Sequence, residues 1–431
     1  MPRLAHLITA QPKGTQFFQQ QQLADLQHRG FEVVVISAPS ENLDVMAREA
    51  GIEVVAVPME REIAPLHDVV SFFRMYRALA RVRPDIISAG SPKAALLGLV
   101  SAVLLRVPVR IYVLRGLRLE TVRGPLRWIL GAVEWVTSAC AHRVICLSES
   151  LRQKYVAGGY VSDAKSVVLG SGSSNGVQID CYRQTAATRA KAAELRRELG
   201  IPDDAVVIGF AGRLTPDKGT PQLLAAFELV LRDNPRTYLL LVGDFERGDP
   251  MPEPELQRVG EHPNIRKTGF VWDPVPYYGV MDVLAFPSLR EGFPRVPLEA
   301  AAAELPVVGF EATGTIDAVQ DGVTGTIVPL GDVDAFAAAL AQYVVDPSLR
   351  RRQGLAGYHR VQREFRSEQV WAAFYDEYVR LLQERGIPVG RPEPPDGEEP
   401  HELTTPDGHC APSRSTPADS SAAETRNSGG A

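Results

Sequence analysis

The length, composition and charge of the chain exclude several classes of protein. Its 431 residues exceed the roughly 100–200 residues of an ordinary domain, so we expect two sizeable cores. Apolar residues make up 45% of the chain and charged residues 23%, which excludes a collagen-like or wholly disordered protein. The formal net charge of −6 provides no positive field for a polyanion, so we expect no nucleic-acid partner.

Cysteine usage and the apolar runs predict a cytoplasmic protein. The four cysteines are scattered without C-x-x-C spacing, so neither a zinc site nor a disulfide framework is expected. The first apolar run reaches the polar residues 11–13 before a signal-peptide core could form. The longest apolar run, residues 94–105, is shorter than the roughly 20 residues of a membrane-spanning helix, so we interpret it as a buried helix.

In the first half of the chain, short runs rich in Val, Ile and Leu alternate with longer helical patterns. The runs are apolar on both faces, as strands covered by helices on both sides are, and they lie at residues 4–9, 32–36, 85–87, 109–113 and 143–147. This alternation predicts parallel strands joined by crossover helices. The loop after the first run contains Gly14, which either permits a ligand to approach the backbone or marks only a tight turn.

A basic segment lies between the last two predicted strands of this half. Arg115, Arg118 and Arg123 are close together in the sequence and could bind an anionic acceptor or a membrane surface. A solvated basic loop is equally consistent with them. Trp128 and Trp135 follow on one predicted helix at a spacing that usually indicates core packing and occasionally an interfacial anchor.

The alternation stops near residues 180–200, where residues 185–199 form a charged helical pattern, and then begins again. Strands of a second sheet are predicted at residues 205–212, 237–243, 265–269, 282–286, 306–309 and 326–328. Two doubly wound α/β domains in tandem are the simplest interpretation. Ligands of such sheets bind at the carboxyl ends of the strands, so we expect the site in a cleft between the domains.

Four segments are therefore expected along the chain. Residues 1–183 and 184–366 form the two Rossmann-like domains. Residues 367–385 form a helix with an aromatic, apolar stripe that must pack on another element. Residues 386–431 are rich in Pro, Gly, Ser, Thr and acidic side chains and have almost nothing to bury, so we expect a disordered C-terminal tail.

The most informative loop, residues 290–300, follows a predicted strand and leads into an Ala-rich helix. Free amides at the start of a helix, with the helix dipole behind them, suit a phosphate or sugar hydroxyls. Glu291 and Glu299 are eight positions apart and can approach one ligand from two directions if the loop folds back. Without a ligand, Glu299 is interpreted as a first-turn helix acid and Glu291 as a solvated loop acid.

A second loop, residues 212–219, also follows a strand and opens a helix. Arg213 can bind phosphate oxygens with its planar guanidinium, and Lys218 supplies a mobile positive charge. Together they could hold a diphosphate and stabilise the charge that grows on it as it leaves. An ordinary turn with solvated basic side chains explains this loop equally well, but both loops lie at strand ends of one sheet, which favours a shared ligand.

No metal or tightly bound cofactor is predicted. None of the eight histidines lies in a pattern such as H-E-x-x-H. Neither a Walker loop nor a G-x-G-x-x-G fingerprint follows a predicted strand.

These motifs resemble those of the retaining glycosyltransferases of family four, which have the GT-B fold of two Rossmann-like domains facing a cleft. The resemblance covers nearly all of residues 1–384 and applies in particular to the branch that builds capsular polysaccharides, exopolysaccharides and glycan precursors on lipid carriers. Its most specific element is the Glu-x7-Glu motif from Glu291 to Glu299. The Gly-Arg-Leu-x-x-x-Lys-Gly segment at residues 212–219 agrees in kind and position.

The resemblance implies a donor site built from both halves of the chain. The residues implied to contact the donor are Gly14, Arg213, Lys218, Phe270, Val271, Glu291, Gly292, Phe293, Pro294 and Glu299. Arg213 and Lys218 would hold the diphosphate, and Glu299 would bind the ribose hydroxyls. Glu291, with the amides of the residues that follow it, would hold the transferred sugar. The backbone of residues 270–271 would contact the base.

The resemblance also implies the remaining partners and the course of the reaction. Arg115 stands where many relatives carry a histidine and would neutralise phosphate, so it joins Arg213, Lys218 and Glu291 as a residue expected to act in catalysis. The donor would be a nucleotide sugar, for which UDP is the family's commonest nucleotide. The acceptor, on the side of the N-terminal domain, would be a lipid-linked or oligosaccharide glycan at the inner face of the membrane.

Transfer would need no metal, because basic side chains and helix amides can stabilise the departing diphosphate. Two alternatives stay open. An epimerase or hydrolase of the same build would consume the sugar nucleotide without an acceptor. A non-catalytic sugar-nucleotide-binding or scaffold protein would bind it without reaction, although the presence of both basic residues and both glutamates argues against this.

Overall fold

The computed structural model describes residues 1–9, 16–40, 43, 46–48, 50–60, 64–246 and 248–390. Gly14 and residues 391–431, which include nearly all of the predicted tail, lie outside the described residues. Within them the chain forms two parallel β-sheets, each flanked by helices.

The first sheet is built from the N-terminal half of the chain. In the described residues its strands are β1 (Arg3–Leu7), β2 (Glu32–Ser37), β3 (Glu53–Ala56), β4 (Ile86–Ala89), β5 (Val109–Leu114), β6 (Arg143–Cys146) and β7 (Ser166–Val167). All neighbours are parallel, in the order β3-β2-β1-β4-β5-β6-β7. The order reverses between β1 and β4, and a crevice forms at such a reversal because the connections leave in opposite directions.

The second sheet repeats this plan. Its strands are β8 (Val206–Ala211), β9 (Thr237–Val242), β10 (Ile265–Gly269), β11 (Val283–Phe286), β12 (Val307–Phe310) and β13 (Gly325–Val328). They are parallel in the order β10-β9-β8-β11-β12-β13, which reverses between β8 and β11. The prediction of two doubly wound domains is therefore confirmed.

The helices fill the connections between strands. Those of the described residues are Gln16–His28, Pro65–Val82, Pro92–Leu104, Pro125–Cys140, Glu149–Ala157, Ile179–Tyr182, Ala186–Glu198, Thr220–Asp233, Glu253–Glu261, Val275–Tyr278, Val296–Ala302, Thr315–Ala318, Val333–Val345, Pro347–Glu364 and Ser367–Gln383. Several begin with proline, whose fixed φ suits the first turn and whose missing N–H costs no helical hydrogen bond there.

Most strands appear where the sequence predicts them, and two were missed. Strand β3 lies at the edge of the first sheet and is only partly buried. It begins with the exposed Glu53 and is therefore not a continuous apolar run. Strand β7 is two residues long. The predicted buried helix at residues 94–105 is confirmed as Pro92–Leu104, which buries seven of its residues.

Helix Ser367–Gln383 packs against the first sheet, although it follows the second domain in sequence. Tyr378 Oη donates a hydrogen bond of 2.8 Å to Ser88 Oγ in β4. The ring of Tyr375 stands edge-on to that of Phe31, with centroids 5.9 Å apart. This helix therefore ties the C-terminal end of the described chain to the N-terminal half.

Polar contacts join the two halves beside the cleft. Asp317 Oδ1 accepts hydrogen bonds from the backbone amides of Glu149 and Ser150, at 3.0 and 3.1 Å. The first turn of helix Glu149–Ala157 is thus capped by a carboxylate of the other half. Ser148 Oγ donates to the carbonyl oxygen of Gly292 at 2.6 Å, which fixes the loop after β11 against the first domain.

The helix Pro125–Cys140 presents aromatic side chains to solvent. Trp128 is 82% exposed and Trp135 58% exposed, so the core-packing interpretation of this pair is wrong. Among the described residues, every helix falls short of the length and apolarity that crossing a bilayer requires.

Candidate active site

The two predicted donor loops meet where the strand order of the second sheet reverses. Arg213 and Lys218 follow β8, and Glu291 follows the neighbouring β11. The first loop needs a glycine at its end. Gly219 has a φ of +73°, and a Cβ on it would lie 2.0 Å from the carbonyl oxygen of Pro287. The two loops are therefore packed backbone to backbone at the crevice.

Lys218 and Glu291 form an ion pair in this crevice. Lys218 Nζ lies 2.6 Å from Glu291 Oε1, and Ser288 Oγ donates to the same oxygen at 2.8 Å. The two ionic side chains are mostly buried, at 22% and 14% exposure, so solvent screens the pair only partly. In the described part of the chain both hydrogen bonds go to Oε1, which leaves Glu291 Oε2 to accept from a ligand.

Arg213 faces acidic side chains rather than Glu291. It forms an ion pair with Glu246, and Arg213 Nη2 lies 3.7 Å from Asp217 Oδ2. The side chain is 48% exposed, and Arg290 also approaches Asp217, at 3.8 Å. A phosphate bound by Arg213 would replace these carboxylates as its partner.

Glu299 lies in the first turn of helix Val296–Ala302, as predicted, and it is buried in a polar cluster. It is 6% exposed, and its Oε2 accepts a hydrogen bond of 2.6 Å from Tyr278 Oη. Arg295 Nε lies 2.6 Å from its Oε1. Burial, together with the charge of Glu299, raises the pKa of the hydroxyls of Tyr278 and Tyr182, so both stay protonated as donors. The sequence analysis missed both tyrosines.

Arg115 lies at the junction of the halves, directly beside the second donor loop. A Cβ on Gly292 would lie 1.9 Å from the carbonyl oxygen of Arg115, so only glycine fits there. The Arg115 side chain packs on Gly90, and its Nε has no hydrogen-bond partner among the described residues. Burial lowers the pKa of this guanidinium, and the phenol of Tyr378 partly opposes this shift. A cation held this way is available to an anionic ligand.

His6 in β1 is buried near Arg115 and makes the fold sensitive to acid. Burial, followed by the positive charge of Arg115, lowers the pKa of His6 from 6.5 to about 3. Below pH 6.5 the unfolded chain binds a proton that the folded chain rejects, so stability falls as the pH drops toward 3.

We therefore expect His6→Gln to flatten the acid side of the stability profile. From pH 7 to pH 5 the wild-type protein should lose about 2 kcal/mol of unfolding free energy more than the variant does. Urea unfolding of both proteins at the two pH values measures this difference. Parallel losses in the two proteins would show that His6 titrates normally in the fold.

The remaining predicted donor residues lie on either side of the crevice. Phe270 follows β10, is 45% exposed, and stands edge-on to Trp272 with ring centroids 5.1 Å apart. Val271 between them is half buried. Gly292, Phe293 and Pro294 are buried at the domain junction. Trp272 was not predicted as a site residue. Its exposed ring, which the sequence alone does not reveal, could stack on a base.

Gly14 lies outside the described residues, so its predicted place in the site stays a prediction. Within the described ranges, no three His, Cys, Asp or Glu side chains are grouped in a way that could hold a metal ion.

Comparisons with known proteins agree with this fold. Residues 13–172 match the model of the glycosyl transferase 4-like domain, and residues 205–346 match that of the glycosyl transferases group 1. The capsular polysaccharide biosynthesis glycosyltransferase CapM of Staphylococcus aureus is 34% identical over 363 residues, which are 84% of this chain and 93% of that protein.

Two more distant likenesses cover most of the chain. The UDP-Gal:alpha-D-GlcNAc-diphosphoundecaprenol alpha-1,3-galactosyltransferase of Escherichia coli is 26% identical over 67% of this chain and 74% of its own length. The crystal structure of Anabaena HepE in complex with UDP-glucose superposes with a TM-score of 0.73 and 20% identity, covering 88% of this chain and 99% of HepE. On these matches the chain belongs to the group 1 glycosyltransferases, and it is a glycosyltransferase with the GT-B fold.

Proposed function

We propose that this glycosyltransferase moves a sugar from a UDP-sugar to a lipid-linked or oligosaccharide acceptor in the synthesis of a surface polysaccharide or related glycan. The observation that carries the proposal is the Lys218–Glu291 pair at the strand-order reversal of the second sheet. A cation for phosphate and a carboxylate for hydroxyls stand side by side there, as a nucleotide sugar requires.

The relatives support this choice of donor and acceptor. CapM is named for capsular polysaccharide biosynthesis, the E. coli relative for a UDP-Gal donor and a diphosphoundecaprenol-linked acceptor, and HepE has been crystallised with UDP-glucose. By analogy we assign a UDP-sugar to the cleft of this protein. The exposed pair Phe270 and Trp272 offers ring faces on which a base can stack.

The donor enters by exchanging ionic partners. A diphosphate oxygen takes the place of Glu291 beside Lys218, and Arg213 leaves its carboxylates for the same group. The carboxylate released from Lys218 then accepts hydrogen bonds from hydroxyls of the sugar. Because Lys218 and Glu291 are already mostly buried in the free protein, the donor does not have to remove much water from these two side chains.

The residues present support transfer with retention and without a metal. The bond between the anomeric carbon and the diphosphate oxygen breaks while Lys218 and Arg213 stabilise the negative charge left on the diphosphate. The acceptor hydroxyl attacks the same face, and its proton passes to the departing phosphate oxygen. In this proposal Glu291 positions the sugar by hydrogen bonds and forms no covalent bond, and Ser288 Oγ keeps its hydrogen bond to Glu291 Oε1.

Arg115 supplies a further positive charge from the first domain. Its unpartnered Nε and its place beside Gly292 suit contact with the diphosphate or an anionic acceptor. We expect Arg115→Ala to lower kcat/KM by about tenfold, the size of one charge-assisted hydrogen bond. Arg232→Ala is the control, because Arg232 is an exposed arginine in the last turn of helix Thr220–Asp233, at the end of the helix that points away from the donor loop. Equal rates in the two variants would remove Arg115 from the site.

The acceptor side carries an exposed apolar surface next to basic residues. Helix Pro125–Cys140 exposes Trp128, Ile129 and Trp135, and Arg123 and Arg127 lie at its start. Side chains of these two kinds favour the interface of an anionic bilayer. We propose that the protein is cytoplasmic and meets its lipid-linked acceptor at the inner face of the membrane.

The function is tested by supplying purified protein with a panel of nucleotide sugars, with and without a lipid-linked glycan in vesicles. We expect release of UDP that depends on the acceptor, an unchanged rate in EDTA, and a product whose anomeric configuration matches that of the donor by NMR. Donor consumption that ignores the acceptor would instead indicate an epimerase or hydrolase. Donor binding without product for any acceptor would indicate a non-catalytic binding protein.

A further inference from the structure

A groove away from the cleft runs between strand β3 and helix Pro65–Val82. Its volume is about 570 Å³, and its walls combine the apolar side chains of Val55 and Val57 with three arginines, Arg74, Arg77 and Arg81. We call it the arginine groove. Strand β3 is the edge of the first sheet, so backbone groups on its outer side have no strand to pair with in the described residues.

The three arginines of this groove are uncompensated. They are spaced at i, i+3 and i+7, which places them on one face of the helix. All three are exposed, and none forms an ion pair with a described residue. Arg3, at the end of the groove, differs from them because it is paired with Glu32 at 2.6 Å and with Glu53 at 3.1 Å.

The described chain ends at the edge of the first sheet where the strands begin. Ile387 and Val389 pack in the core on the face of the sheet opposite helix Pro65–Val82, and the position of a Cβ on Gly30 lies 3.7 Å from the carbonyl oxygen of Gly390. Gly30 lies two residues before β2, the strand next to β3. Arg3 links the start of β2 to the groove, because it also donates to the carbonyl oxygen of Val82 at 2.8 Å. The chain therefore leaves the described fold at the edge of the sheet that also holds the Arg81 end of the groove, and residues 391–392 must pass around that edge to reach it.

The residues that come next in the sequence are acidic. Within residues 393–402 there are five carboxylates and no Lys or Arg, the carboxylates being Glu393, Asp396, Glu398, Glu399 and Glu402. Nine residue steps of any chain reach at most about 30 Å, whereas the helix from Arg74 to Arg81 rises only about 10 Å. The segment is long enough to pass all three arginines.

We propose that this acidic segment, residues 393–402, binds in the arginine groove of its own chain. Exposed ion pairs are individually weak, but a segment tethered a few residues away is present at a millimolar effective concentration. Once bound, it neutralises the three arginines and covers the free edge of β3. The docking is independent of the chemistry in the cleft.

The test measures amide hydrogen exchange of the full chain in 20 mM salt. The comparison is between the wild type and a neutral-tail variant, Glu393→Gln, Glu398→Gln, Glu399→Gln and Glu402→Gln. We expect amides of residues 53–58 and 73–82 to exchange at least threefold more slowly in the wild type. The difference should vanish in 0.5 M salt because exposed charges are then screened. Helix Val333–Val345, which none of the variants changes, serves as the internal reference.

Two arginine triples separate docking from a general effect of charge. Arg74→Glu, Arg77→Glu and Arg81→Glu should exchange like the neutral-tail variant. Arg189→Glu, Arg232→Glu and Arg351→Glu, which changes three exposed and unpaired arginines elsewhere, should exchange like the wild type. Lysines at the four tail positions should restore protection in the first triple.

Two results would overturn the proposal. Equal exchange of wild-type and neutral-tail protein at low salt would mean that the acidic segment does not bind, and that the arginines serve only to keep other strands from pairing with β3. Protection that appears only when anionic phosphatidylserine vesicles are added, equally with either tail, would mean that the groove binds lipid.

Discussion

Lys218→Ala is expected to lower the turnover of sugar transfer by about 10²–10³-fold, the typical cost of losing one preorganised group that stabilises a departing charge. Lys218 is the mostly buried cation at the crevice and already lies 2.6 Å from Glu291. Alanine removes the charge that would face the diphosphate and leaves Glu291 with Ser288 alone. Initial rates of UDP release with saturating acceptor measure the effect.

The control for this variant is Lys191→Ala. Lys191 also forms a lysine–glutamate pair, with Glu194 at 2.8 Å, but on the exposed helix Ala186–Glu198. We expect this variant to keep the wild-type rate and the melting temperature to stay the same within error. A Lys218→Ala enzyme that works at a near-normal rate would show that the diphosphate lies elsewhere.

Glu299→Ala is expected to destabilise the protein by about 3 kcal/mol, because removing one member of a buried ion pair leaves the other members of its cluster poorly compensated. Glu299 receives the hydroxyl of Tyr278 and faces Arg295. Urea unfolding measures the change. Because Glu299 is expected to bind the ribose hydroxyls, the variant should also bind UDP more weakly. Titration calorimetry with UDP measures this second effect.

Glu194→Ala is the comparison for stability, because its carboxylate is exposed and its removal should leave the unfolding free energy unchanged within error. The Glu299→Gln variant separates charge from hydrogen bonding, since it keeps an acceptor for Tyr278. Unchanged UDP affinity in both Glu299 variants would restrict this residue to supporting the fold.

The sheets and the two donor loops could be predicted from the sequence for a physical reason. Strands such as β8 and β11 are covered by helices on both faces, so their sequences are continuous apolar runs. The loops that follow them carry charged residues at the point where ligands of such sheets bind. Edge strand β3 lacks this signature because two of its four residues, Glu53 and Ala56, are exposed and the two valines between them are only partly buried.

The partners inside the site could not be predicted in the same way. Tyr278 and Tyr182 are fully buried phenols, which a sequence does not distinguish from ordinary core aromatics until Glu299 is found beside them. The ion pairs of Arg213 depend on Glu246, which a separate strand-to-loop connection brings close. For Trp128 and Trp135 the more usual interpretation, core packing, was wrong, because a helical period indicates a shared face of the helix but not what that face contacts.

The capping of helix Glu149–Ala157 by Asp317 means that the first half obtains part of a helix cap from the second half. Residues 1–183 produced alone would keep Ser148 as a cap but would leave the amides of Glu149 and Ser150 without their acceptor, a loss of about 1 kcal/mol. A chimaera that combines the first half of this chain with the second half of a relative therefore needs a carboxylate at the position of Asp317. Without it, the two halves will associate less tightly than in this protein.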